Sequence, residues 1–354
     1  MFLDLERRMR FSRYFRCLAI LLGFIPIGSP VHGYNLFGPY PWGDDGTTYY
    51  NKWGDIFTPG SPGGTITWSI MPDGTTIDPA FNDPNISGVS SLNAIMNGLG
   101  YQQALGAIER SLAQWSAAAN IYFVQVPDSG APFHGATATY PNTGHIRVGA
   151  FPINAGIGAV GYAPPPNGGN LEGDVLLNAN STFFFDNGAE GELIDVFNDF
   201  ESLVIHELGH AIGLAHSDAQ SVMSVNYDIY KYVNRLLDPD DVAAAQFLYG
   251  PALQADFDHD GAVDGDDLAT WKTGFGATVG VTPAMGDADR NGQIDGADFL
   301  VWQRESQASP SGAVAGTAVP EPPTVALLSS ALGGALVNHR RRRSMDRRSL
   351  NNAQ

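Results

Sequence analysis

Eleven residues near the middle of the chain have the types and spacing to hold a metal ion and use it: His206-Glu207-Leu208-Gly209-His210-Ala211-Ile212-Gly213-Leu214-Ala215-His216. Residues four apart share one face of a helix, so His206 and His210 can offer two imidazole nitrogens to one ion. Glu207 lies one position around, placed to reach a water on that ion and act as general base. Gly213 can adopt a positive φ and end the helix, letting the chain turn so that His216 adds a third ligand. Three neutral histidines suit one zinc ion and leave its fourth position open, as catalytic sites require. From the chain's own residue frequencies the pattern has a chance probability on the order of 10⁻⁵.

A second set of residues points to a harder cation. Asp256, Asp258, Asp260, Asp264 and Asp267 occupy the first, third, fifth, ninth and twelfth places of a loop, with Gly261 at the sixth. Asp287, Asp289, Asn291, Asp295 and Asp298 repeat the frame around Gly292, thirty-one residues further on. Oxygen donors at this spacing converge on calcium, and the glycine permits the sharp turn between them. Two calcium ions are therefore expected. The crowded acids repel one another without a cation, so this segment is expected to fold only with calcium, bringing Leu268, Trp271, Phe299 and Trp302 together on two short helices.

Both sites need elements to position them. The alternation Thr65-Ile66-Thr67-Trp68-Ser69-Ile70 has strand period, and Leu105, Ile108, Leu112 and Trp115 have helical spacing over residues 101–118. Residues 120–126, 145–148, 159–163 and 174–177 read as strands, and 200–214 as the helix carrying the first two histidines. A further helix starts at Asp238-Pro239-Asp240-Asp241 and stops at Gly250-Pro251, which is the expected domain boundary. Strands and helices alternate as in a mixed α/β sheet domain.

The chain has 354 residues, 44% of them hydrophobic, which excludes wholesale disorder. Between residues 34 and 319 only 8 basic residues stand against 33 acidic ones, a poor match for nucleic acid and a good one for divalent cations. The single cysteine, Cys17, excludes a disulfide scaffold. Residues 1–33 read as a secretory signal: a basic start, a short apolar run too short to span a bilayer, and Val31-His32-Gly33 at the exit. Residues 34–62, rich in Gly, Pro, Asp and aromatics, read as an irregular segment.

Around the zinc motif, Ser217 follows the third histidine directly, Met223 comes seven residues after it, and Tyr227 lies beyond. Leu248-Tyr249-Gly250 closes the last helix, and Gln114-Trp115-Ser116 ends the early one. With these residues, positions 63–250 resemble the metzincin metallopeptidases, and within them the matrixin branch. The resemblance implies a zincin-like α/β (mixed) domain, with a twisted, mostly parallel sheet and three helices. It implies a zinc endopeptidase acting on proteins or peptides, with Met223 packed beneath the zinc and not bound to it. Val225, where proline is usual, and Tyr227 would wall the substrate pocket. Gly161 and Leu176 stand where matrixins often carry histidines for a second zinc. Asp174 is kept among the family's calcium-binding acids, while Asn178 and Ser181 replace others. No cysteine lies between the signal and the zinc motif, so the family's cysteine latency is not expected. The alternative is a non-catalytic, calcium-dependent surface-binding or matrix protein on the same scaffold, and the presence of Glu207 argues against it.

Residues 254–305 resemble a type I dockerin, a small all-α module of paired EF-hand-like loops, which implies a cohesin-like partner. Gly265-Asp266 and Gly296-Ala297 occupy the places of the usual cohesin-gripping hydroxyls. A linker over 306–318 leads to Val319-Pro320-Glu321-Pro322, an apolar run over 324–337 and four arginines at 340–343. Residues 319–345 thus resemble the PEP-CTERM sorting signal of certain Gram-negative bacteria, which implies an exosortase-type processing enzyme and a surface or extracellular-matrix location. Fourteen apolar residues give about 21 Å of helix against a hydrocarbon core of roughly 30 Å, which favours transient membrane association over a permanent anchor.

Overall fold

The computed structural model describes residues 33–135, 143–154, 156–166, 171–192, 198–218, 221–224 and 233–308. At its centre is a five-stranded sheet of β4 (Gly64–Ile70), β5 (Ile121–Gln125), β6 (Ile146–Phe151), β7 (Ala159–Gly161) and β8 (Val175–Asn178), in the order β5-β4-β6-β8-β7. Three of the four pairings are parallel, and β7 lies antiparallel to β8 at one edge. Alternation in β4 puts Ile66 and Trp68 into the core. Every residue of β6 and β8 is buried, including the polar Arg147 and Asn178, so these two strands form the covered middle of the sheet.

Among the described residues four helices accompany this sheet, one more than expected. The additional one, α1 (Leu92–Leu99), buries only Leu92 and Met96. Its N-terminal N–H groups are capped from a distance, Asn93 and Ala94 donating to the carboxylate of Asp73. A cap twenty residues upstream leaves no local start signal to read. Helix α2 (Tyr101–Ala118) buries Ala104, Ala107, Ile108, Ser111, Leu112, Trp115 and Ala118, one stripe at helical spacing. The Trp115 indole donates to Ile205 O at 3.1 Å and so fastens α2 to α3 (Phe200–Ala211). Helix α3 is buried on nearly all sides, with Asp199 capping its start through the Ser202 N–H. Helix α4 (Pro239–Tyr249) completes the set.

Residues 34–62 are less irregular than expected. They form β1 (Asn35–Leu36), β2 (Tyr40–Pro41) and β3 (Thr48–Tyr49), each too short to show a period. β2 and β3 pair with each other, and β1 pairs antiparallel with β9 (Leu214–Ala215). Lys52 is wholly buried, its Nζ donating to Asp55 O, Ser61 O and Ser61 Oγ while lying 5.1 Å from the centre of the Tyr249 ring. Burial brings its ammonium down to about 8.

Helix α4 stops at Gly250 as the sequence predicts, but the chain does not leave the body there. Asn120 N donates to Gly250 O, Ala119 and Pro251 form a β-bridge, and the residues up to Ser306 belong to one compact unit. Within it, α5 (Gly265–Gly274) and α6 (Gly296–Ala308) enclose a small core of Ala255, Phe257, Val263, Ala288 and Val301, with Trp271 and Trp302 packed against it. Phe299 lies between the two tryptophans, 5.0 and 5.6 Å from their rings, and these three residues are half-buried, as is Leu268. Among the described residues no helix is long and apolar enough to cross a membrane. The signal segment and the 319–345 tail lie outside them.

Candidate metal centre

Helix α3 carries His206 and His210 one turn apart, and the chain leaves the helix through Gly213 at φ +103°. A side chain at 213 would also strike the carbonyl of Asn51, so glycine is required there twice over. The turn brings His216 back: its Nε2 lies 3.3 Å from His206 Nε2 and 3.2 Å from His210 Nε2. Two of the other ring nitrogens are engaged by backbone carbonyls, His206 Nδ1 by Val222 O at 2.6 Å and His210 Nδ1 by Leu214 O at 2.8 Å. Protons on Nδ1 leave the Nε2 lone pairs converging on one point, which is the arrangement a metal needs. Burial pushes His206 down to about 4 and lowers His210 and His216 as well, so all three are neutral at pH 7. Three neutral imidazoles on one point fit zinc.

Glu207 is buried and accepts a hydrogen bond from the Gly161 backbone. Desolvation pushes its carboxyl up to about 8. Gly161 lies so close to α3 that a Cβ would strike Glu207 O, so the edge strand β7 runs directly over the helix. In the cross-strand register Val160 stands opposite Leu176 and Gly161 opposite Val175.

Met223 is buried, with its Sδ against Gly209, and a Cβ at 209 would collide with it. The loop bearing Met223 is held by Asp241 of α4, whose carboxylate accepts from Val222 N at 2.9 Å and Met223 N at 3.2 Å. Val225 and Tyr227 lie outside the described residues. His145 is held by the sheet, its Nδ1 accepting from Thr67 N.

Sequence reasoning missed the contribution of the N-terminal segment. Asn35 donates its side-chain amide to His216 O at 2.8 Å, and Phe37 N donates to Gly213 O. The Phe37 ring lies 5.7 Å from the His210 imidazole. The third-ligand loop is therefore clamped by residues 35–37. A two-residue pairing across 180 positions leaves no sequence signal.

The acidic loops present the same arrangement twice. Carboxylate oxygens of Asp256, Asp258 and Asp267 come within 4.8 Å of one another, as do those of Asp287, Asp289 and Asp298. Gly261 and Gly292 take φ +93° and +82° at the turn. Asp264 and Asp295 are not in these clusters: their carboxylates accept from Asp266 N and Ala297 N and so cap α5 and α6. Asp260 and Asn291 likewise accept from the N–H two residues on, at Ala262 and Gln293. All-oxygen sets of this kind fit calcium.

A family profile described as matrixin matches residues 91–250. Over 154 residues the chain is 30% identical to karilysin of Tannerella forsythia, covering 41% of this chain and 28% of that protein. It is 34% identical over 149 residues to human matrix metalloproteinase-20, covering 41% and 27%. It is 29% identical over 152 residues to metalloendoproteinase 1-MMP of Arabidopsis thaliana, covering 40% and 36%. The chain thus spans between about a quarter and a third of these relatives. Residues 91–250 match the matrixin profile and are similar to matrix metalloproteinases, and the three histidines lie within them.

Proposed function

We propose that the chain is an exported zinc endopeptidase that hydrolyses peptide bonds of proteins, with Glu207 as general base. The observation that carries this reading is the convergence of three neutral imidazole nitrogens beside a buried glutamate. His206, His210 and His216 would hold the ion. Bound zinc polarises the scissile carbonyl and acidifies a water molecule. Glu207, as carboxylate, takes a proton from the attacking water and delivers it to the leaving amine. Gly161 N fixes that carboxylate from the edge strand. Met223 and Asp241 keep the floor of the site in place, while Val225 and Tyr227 would shape the substrate pocket. Incubating the purified chain with a peptide library tests the reading: cleavage should vanish with a zinc chelator and return with zinc. A zinc-loaded chain that cleaves nothing would leave the non-catalytic alternative.

The same proposal assigns two calcium ions to Asp256, Asp258 and Asp267, and to Asp287, Asp289 and Asp298, within a dockerin-like module able to meet a cohesin-like partner. The 319–345 segment would be read by an exosortase-type enzyme after export and leave the product at the cell surface. Mass spectrometry of the mature C-terminus tests this. A native host yielding only full-length chain in membranes would point to a plain anchor.

A further inference from the structure

The two acidic loops copy one another in sequence and backbone, yet their surroundings differ. His259 and its equivalent Arg290 both take left-handed backbone, at φ +62° and +58°. Arg290 is exposed, whereas the His259 imidazole stacks on the Tyr122 ring of β5, with centroids 3.9 Å apart and planes 17° apart. Gly292 has nothing within 4 Å of where a Cβ would be, whereas at Gly261 a Cβ would meet Pro62 at 2.8 Å. Gly261 O also accepts from the Asn120 side chain at 3.3 Å. The Tyr122 hydroxyl donates to Leu253 O at 3.1 Å and has the Asp256 carboxylate as a second partner. Asp256 is the first residue of loop one.

We propose that the first loop is an internal docking surface, through which calcium fastens the module to the β5 edge of the sheet and stabilises the peptidase body itself. This rests on the calcium reading above. His259 and Gly261 lie between Asp258 and Asp267, so their positions depend on the loop keeping its closed shape. Three carboxylates within 4.8 Å repel one another unless a cation joins them. Opening loop one breaks the stack on Tyr122 and the contacts of Gly261. Opening loop two breaks neither. Since the cation favours the docked form, docking must favour the cation by the same factor. Residues 120–122 and Pro62 therefore make the two sites unequal, with site one stronger in the intact chain, and they leave loop two facing outward.

The test uses the full chain, zinc-loaded, with calcium titrated by calorimetry and the sheet body followed by thermal unfolding. Wild type should bind two calcium ions. Tyr122→Phe combined with His259→Ala should weaken one site at least about fivefold and leave the other unchanged. Asp256→Asn should abolish the calcium-dependent rise in melting temperature of the sheet body, and Asp287→Asn should keep most of it. Because all these variants alter loops or surface contacts, their zinc content checks that the body remains folded. Two calcium ions bound, with the Tyr122 and His259 changes affecting neither, would overturn this inference and leave the calcium reading intact. No calcium uptake by wild type would overturn the calcium reading and the inference with it.

Discussion

Trp302 donates its indole N–H to the carbonyl oxygen of Asp264 at 2.7 Å, and thirty-one residues earlier Trp271 makes the equivalent bond to Asp295 O at 2.9 Å. Each helix thus reaches across to the ninth position of the other loop, so that neither half can close alone. Trp302→Phe and Trp271→Phe each keep an aromatic ring but delete the bond and part of the ring volume, at an expected cost of at least about 1 kcal/mol. The calcium concentration at half-folding should rise in either single variant, and titration followed by circular dichroism measures it. The double variant should cost less than the sum of the two singles if the bonds cooperate, because either single change already loses the coupling between them.

Glu207→Ala is expected to abolish peptide hydrolysis while zinc stays near one ion per chain, because the carboxylate acts on water and does not bind the metal. His210→Ala should lose zinc and activity together, since two histidines make a poor site. Metal analysis beside a peptidase assay separates the two outcomes. Wild-type turnover in the glutamate variant would show that the base lies elsewhere.

Phe37→Ala removes a buried ring from beside His210 and is expected to cost about 3–5 kcal/mol of stability. Asn35→Ala removes only the bond to His216 O and should cost about 1 kcal/mol. In both variants zinc should pass to a competing chelator faster than in wild type, because the third-ligand loop is less firmly held. Stopped-flow chelation measures this, and unchanged zinc release in Phe37→Ala would show that β1 supports only the fold.

Asp174 is buried, one oxygen accepting from Arg147 N at 2.8 Å and the other without a partner. Desolvation pushes its carboxyl up to about 8, against the pull of Arg147. The folded chain therefore keeps a proton that the unfolded chain gives up from about pH 4, and stability falls as pH rises from there to about 8. Asp174→Asn mimics the protonated form and should flatten that decline, with a higher melting temperature at pH 8 than wild type. Melting curves across pH 5 to 9 check this.

The histidine triad and the two loops were legible because their residues lie within short stretches whose spacing alone implies convergence. The core of the sheet was legible for a related reason: β4 alternates, and α2 keeps its apolar stripe over eighteen residues. What escaped the sequence depends on remote partners. Helix α1 takes its cap from Asp73, β1 finds β9 across the chain, and Val160 reaches its place opposite Leu176 only through the sheet register. Asp264 and Asp295 fit a ligand position by spacing, and the helix that starts immediately after each gives its carboxylate an N-cap bond that the spacing alone does not announce.

The position of β4 bears on how little of this protein could be passed on as a working piece. Residues 64–70 are the only described strand that joins β5 to β6, and they precede the stretch that matches the matrixin profile. A transplant cut to residues 91–250 would carry all three histidines but split the sheet, stranding β5 from the rest. It would also leave behind Asn35, Phe37 and Lys52, so the metal loop and the last helix would each lose a support. The heritable unit is therefore larger than the recognisable one, and gene fusions that respect only the motif should yield chains that fail to fold.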